Sequence, residues 1–205
     1  MTLPESLPAR LYLLAYDTER NRVTARTQLG LVLRAAALAD LYLAGRVTDD
    51  NGKARLTGDQ RSGGDPLLDE VLQQLAEHKP RSWQGWITHG RPAIPTVRTQ
   101  LEAGLCIRVD HRRIRPDRVE LRDRLAVEQY ADEVRAELRG PAAHTEPRTA
   151  AVLALAARGE IAILISRSER REYRQRLDEL AASTGPIAEA LRKAWREKKA
   201  QMASG

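Results

Sequence analysis

Residues 29–44, LGLVLRAAALADLYLA, decide how this 205-residue chain folds. Apolar side chains recur at helical spacing through the whole stretch, and Gly45 follows as a stop signal, so the pattern predicts a helix over Leu29–Ala44. One residue breaks the pattern. Arg34 has Gly30, Leu31, Ala37 and Leu38 as neighbours three and four positions away, and residues so spaced share a helix face. A guanidinium on an apolar face must meet an acid, snorkel outward or hold an anionic ligand. Asp40 and Asp17 are the acids within reach on the bland reading. A phosphate held in a hydrophobic frame is the sharper one.

Outward from this helix the chain keeps the same character. Upstream, Leu7–Tyr16 is apolar with Pro8 suited to a first helical turn, and polar Asp17–Arg22 leads into Val23–Thr27, which would complete a small hairpin. Downstream, Asp49–Gly64 is a polar loop with a hairpin signal at Asn51-Gly52. Asp65 then caps a helix that opens on Pro66, with Leu67, Leu68, Val71, Leu72 and Leu75 on its apolar face. Trp83 and Trp86, three apart, read as core anchors on a short helix. Pro92 and Pro95 break the chain before a Thr96–Ala103 helix closed by Gly104, and Cys106–Val109 with Arg118–Leu121 forms a second hairpin.

Helix resumes over Val127–Leu138. Thr149–Ala157 and Ile161–Ile165 suit a buried central helix; Ser168–Ala182 is an Arg-rich amphipathic helix, and Ile187–Gln201 a basic final one. The expected fold is mainly α: one helical-bundle domain over residues 1–205, with seven to nine helices and one or two small β-hairpins. The absence of Phe, beside three Trp and five Tyr, agrees with an aliphatic core of packed helices rather than a sandwich built on aromatic pairs.

Composition narrows the function. A single cysteine, Cys106, excludes an internal disulfide and a Cys-based zinc site, and it fits a reducing cytoplasm. No signal peptide is expected, and the apolar run 150–165 is interrupted by Arg158, Gly159 and Glu160, so it is unsuited to crossing a bilayer. His78, His89, His111 and His144 show no metal-ligand spacing, and no phosphate-binding loop, nucleophile elbow or dinucleotide fingerprint occurs. Cys106 in an apolar strand reads as an inert thiol. A non-enzymatic protein without cofactor or metal is expected. The net charge of +6 lies mostly in the second half and points to an anionic partner, lipid head groups or nucleic acid. A rival reading takes residues 96–121 as a winged helix, with Arg98 and Thr99 in the major groove and Arg112, Arg113 and Arg115 on phosphates.

Leu7–Tyr16 (LPARLYLLAY), Leu33–Val47 (LRAAALADLYLAGRV), Asp65–Ile87 (DPLLDEVLQQLAEHKPRSWQGWI), Leu101–Leu105 (LEAGL) and Pro147–Ile165 (PRTAAVLALAARGEIAILI) stand in the order found in one family. Through them the chain resembles the Golgi phosphoprotein 3 family, whose members also occur in bacteria, especially actinobacteria. The resemblance implies a single helical domain. It implies binding of phosphatidylinositol 4-phosphate at membranes and retention of membrane enzymes through their cytoplasmic tails. Arg34 falls on the family's head-group arginine. Ala25 stands where the family has a tryptophan, and Val109–Leu121 is Arg-rich where the family hairpin is apolar. Arg91 and Arg98 are the candidates to replace the family's arginine pair. The expectation is a peripheral binder of anionic head groups on the inner face of the membrane. Arg34 would make the phosphate contact, and Arg26, Arg91 and Arg98 would lend supporting charge.

Overall fold

The computed structural model describes residues 3–58, 63–111, 117–140 and 144–204. Among them the chain runs through ten α-helices and three two-stranded antiparallel hairpins. The mainly helical expectation holds, with one hairpin and one helix more than the sequence suggested. The helices are α1 (Leu7–Leu14), α2 (Arg26–Leu43), α3 (Pro66–Glu77), α4 (Trp83–Thr88) and α5 (Ala93–Ala103), then α6 (Arg124–Ala136), α7 (Pro147–Arg158), α8 (Arg167–Glu172), α9 (Arg174–Ala181) and α10 (Ile187–Ala203). The hairpins pair β1 (Tyr16–Asp17) with β2 (Arg22–Val23), β3 (Val47–Asp50) with β4 (Lys53–Leu56), and β5 (Ile107–Asp110) with β6 (Arg118–Leu121).

α2 is the axis of the molecule. Every residue from Val32 to Leu41 is buried, and α1, α3, α4, α5, α7 and α10 all pack against it. A helix apolar on all sides has to be enclosed, which is why the stretch 29–44 organises the rest. It begins three residues earlier than its apolar pattern, because Arg26, Thr27 and Gln28 form a polar first turn. The helix at Pro147–Arg158 is the second buried element, with Ala150–Ala157 enclosed. It stops at Gly159, whose missing side chain lets Val32 approach: a Cβ there would stand 2.2 Å from Val32 Cγ2.

Several boundaries differ from the sequence reading. Ile161–Ile165 is a turn with Ile161, Leu164 and Ile165 buried rather than more helix, since Glu160 takes a positive φ of 54° and the Ile161 N–H closes back on the Ala156 carbonyl. Pro92 and Pro95 start α5 instead of breaking the chain before it. Pro92 is the N-cap and Pro95 the third helical residue, where no intrahelical N–H is required. The Ser168–Ala182 stretch is two helices, parted at Tyr173, which turns partly into the core. The predicted Val23–Thr27 strand shrinks to Arg22–Val23, paired with Tyr16–Asp17. Asp65 caps α3 through the Leu67 and Leu68 N–H groups, and Trp83 and Trp86 are core anchors, as expected.

The two acids considered as partners for Arg34 are used elsewhere. Asp40 is buried and accepts the Leu7 N–H at 2.7 Å, capping α1 from outside that helix, while Arg148 Nη1 neutralises it at 2.7 Å. Asp17 accepts the backbone N–H and guanidinium of Arg20 across its own tight turn.

Candidate functional site

Arg34 lies on the flank of α2 crossed by α3 and by the link between α4 and α5. Three acceptors hold it. Nε–H donates to the Trp86 carbonyl at 3.1 Å, Nη1 to the Arg91 carbonyl at 3.4 Å and Nη2 to Gln74 Oε1 at 2.8 Å. The break between α4 and α5 frees those carbonyls: Trp86 is in the last turn of α4, whose final carbonyls have no intrahelical donor, and Arg91 lies in the link before α5 begins at Ala93. Gly90 lets the link fold over the guanidinium. Its φ is +133°, and a Cβ on it would come within 2.3–2.4 Å of three guanidinium atoms.

One carboxylate pairs with this arginine, at the long end of ion-pair distance. Glu70 Oε1 is 3.7 Å from Nη1, and the Gln74 amide stands between the two groups, accepting from Arg34 and donating to Glu70 at 2.8 Å. Arg34 is only 5% exposed. Burial pulls the guanidinium pKa below its ordinary value, and the nearby Glu70 charge partly restores it.

A cavity of about 360 Å³ opens directly above this arrangement. Glu70, Gln74, Trp86, Gly90 and Arg91, all around Arg34, form its wall, and Arg81, His78 and His89 border it. The Arg81 guanidinium sits over the Trp86 ring, 5.5 Å from its centroid. Among the described residues, neither Arg81 nor Arg91 forms an ion pair. Two arginines, Arg81 and Arg91, and two carboxylates, Glu70 and Glu77, line the cavity, with Arg34 buried behind its wall, and both carboxylates are engaged by glutamine amides, Gln74 and Gln73. Such a set suits an oxyanion: the exposed guanidinium groups offer planar paired donors, and the buried one raises the potential from beneath.

The four arginines singled out from the sequence separate into two pairs. Arg91 lines the cavity, and Arg34 holds the Arg91 carbonyl from behind its wall. Arg98 is half-buried, donating Nε–H to the Tyr12 hydroxyl at 2.8 Å, with Nη1 3.7 Å from Asp117. Arg26 lies close enough to Tyr12 to act on its charge. Burial raises the Tyr12 pKa, and Arg98 and Arg26 oppose that rise. Arg26 and Arg34 are eight residues apart on one helix, about 12 Å along its axis, so one phosphate does not reach both pairs. The inward turn of Arg98 also removes the outward display that a recognition helix needs. Arg112, Arg113 and Arg115 lie outside the described residues.

Sequence reasoning missed Arg81, His78 and His89. They stand among other polar residues on either side of the Trp83–Thr88 helix, so nothing in the linear pattern singles them out, and no spacing rule connects them to residue 34.

A family model described as Golgi phosphoprotein 3 (GPP34) matches residues 7–198. The chain belongs to this family. The match takes in α1 through most of α10, so the helices around Arg34 are elements of the Golgi phosphoprotein 3 domain. A search of curated proteins gives no match. Among the described residues no helix is long and apolar enough to cross a membrane. Cys106 is buried, and burial pushes its thiol pKa upward, the opposite of what an activated nucleophile needs.

Proposed function

We propose that this Golgi phosphoprotein 3 family protein is a non-catalytic, peripheral binder of anionic phospholipid head groups, held on the inner face of a membrane. A phosphatidylinositol 4-phosphate-like head group is the finer reading that the family resemblance suggests. The observation that carries the proposal is the cavity over Arg34, where Arg81 and Arg91 lack carboxylate partners among the described residues. In this reading Arg81 and Arg91 contact the phosphate. Arg34 adds positive potential from below and, through the Arg91 carbonyl, fixes the link that carries Arg91. Cytoplasmic tails of membrane proteins are the partner class such recruitment would serve.

Each basic side chain near an anionic surface contributes about 1 kcal/mol. Three arginines therefore give weak, reversible attachment rather than permanent anchoring. Sedimentation with phosphatidylglycerol vesicles and with neutral phosphatidylcholine vesicles tests the reading. The expected result is association with the first only, lost in the Arg81→Ala, Arg91→Ala double variant. Indifference to both vesicle types, together with nanomolar binding of a defined DNA duplex, would replace this reading with the nucleic-acid one.

A further inference from the structure

The fixed charges that line the cavity are sorted by element. Glu70, Gln73, Gln74 and Glu77 stand at i, i+3, i+4 and i+7 on α3 and so share one helix face, and α3 brings no arginine or lysine to the lining. Beyond that helix the lining holds Arg81 and Arg91 and no carboxylate. Some of these charges are already answered within the protein. Glu70 is half-buried and lies 3.7 Å from the Arg34 guanidinium behind the wall, which offsets it. Glu77 is exposed, about two helical turns further along α3. Gln73 Nε2 donates to its Oε1 at 2.8 Å, but among the described residues no cation pairs with it. The guanidinium of Arg81 rests on the Trp86 ring, that of Arg91 is exposed, and among the described residues neither meets an acid. The unanswered charges of the lining are therefore two cations and one anion.

A plain phosphate answers the two cations but meets Glu77 as a like charge. A ligand that answers all three carries two anionic groups and one ammonium. We infer that the cavity takes an aminated anionic head group of the phosphoserine class: Arg81 and Arg91 divide its phosphate and carboxylate between them, and Glu77 receives its ammonium. Each pairing suits the groups involved. A guanidinium offers planar paired donors to either oxyanion. A carboxylate has several acceptor positions, and the Gln73 amide occupies only part of those on Glu77, so a primary ammonium with three N–H donors finds room there. The quaternary ammonium of a choline head group has no such donor, and the hydroxyls of a glycerol head group bring no charge. The volume of about 360 Å³ lies within the range that small-ligand sites occupy. An ion pair at a partly exposed site is worth up to about fivefold in binding. The added carboxylate and ammonium together then favour phosphoserine over phosphoglycerol by roughly tenfold.

The inference rests on the head-group reading and refines it, and its test lets the two fail separately. Phosphatidylserine and phosphatidylglycerol carry the same net charge near neutral pH. Vesicles of either in phosphatidylcholine, at equal mole fraction, therefore present the same surface charge and differ in head-group chemistry alone. Sedimentation near neutral pH compares the full chain with its Glu77→Gln variant, the folding of each being checked by circular dichroism. Glutamine keeps an acceptor for the Gln73 amide and removes only the charge. The wild type should prefer phosphatidylserine by roughly tenfold. In the variant, phosphatidylserine binding should fall to the phosphatidylglycerol level while phosphatidylglycerol binding does not fall, since a repelling charge has gone. A merely structural Glu77 would weaken both lipids alike. Soluble glycerophosphoserine should displace the wild type from phosphatidylserine vesicles at concentrations where glycerophosphoglycerol does not; displacement by neither would place the preference on the vesicle surface and overturn the cavity assignment. Equal wild-type binding to the two lipids overturns the inference and leaves the head-group site standing. A preference that survives in Glu77→Gln, or an equal loss of both lipids there, overturns it as well. Binding to neither lipid sinks the inference and the head-group reading together.

Discussion

Arg34 joins two roles that the sequence set against each other. It lies buried behind a cavity lined by Arg81 and Arg91, yet it is also a structural clamp. Removing it strips donors from the Trp86 and Arg91 carbonyls and from Gln74, and buried acceptors left unmatched are costly. Arg34→Ala is therefore expected to lower stability by about 2–4 kcal/mol, against the near-neutral effect that a purely ligand-binding arginine would show. Arg34→Lys keeps the charge but reaches fewer acceptors, so it should fall between alanine and wild type. Urea unfolding of the three proteins checks this, and an alanine variant as stable as wild type would remove the clamp. The anomaly at residue 34 was legible because helical spacing alone exposes it. Its partners were not, because two of the three are backbone carbonyls 52 and 57 residues away, one in the last turn of α4 and one in the link before α5.

Helix α8 shows how much a local rule can carry. The Glu169 N–H donates to Ser166 Oγ at 3.2 Å, and the Ser166 N–H donates to Glu169 Oε2 at 2.8 Å, closing a capping box. The hydrogen bond with Ser166 holds the Glu169 carboxyl below its ordinary pKa against the opposing effect of burial, helped by the Ser166 backbone N–H and by the Arg135 and Arg139 charges. A carboxyl depressed in the folded state stabilises above its unfolded pKa, and that contribution fades as pH falls through the folded value. Glu169→Ala should thus cost up to about 1 kcal/mol at pH 7, and the gap from wild type should close as pH drops below the usual carboxylate range. Thermal melts from pH 7 to pH 3 measure it; a gap that stays constant would deny the ionised carboxylate its part.

Most helices were legible in this same local currency of apolar period, cap and stop residue, as with Asp65-Pro66 at α3. What escaped was decided by tertiary contact. Ile161–Ile165 is as apolar as a helix but is turned aside at Glu160 so that α7 can end against Val32. The Ser168–Ala182 pattern is broken at Tyr173, a partly buried ring that packs against the core.

Across the whole molecule, the cavity combines charges in very different surroundings, and salt should separate them. Arg81 and Arg91 are exposed, whereas Arg34 is enclosed. Screening shortens the reach of exposed charges from about 10 Å at 0.1 M salt to about 3 Å at 1 M, while buried charges are screened much less. Attachment to phosphatidylglycerol vesicles should therefore fall steeply over this range, but not to zero if a phosphate enters the cavity, because there it lies within the unscreened field of Arg34. A chain held only by its general excess of +6 would instead lose all binding at 1 M. The Arg34→Lys variant sharpens the distinction: it keeps a charge beneath the cavity but weakens the hold on the Arg91 carbonyl, so the salt-resistant fraction should shrink while the salt-sensitive fraction changes little. Sedimentation of both proteins across the salt series reads the two fractions. Complete and identical loss for wild type and variant would mean that the surface, not the cavity, makes the attachment.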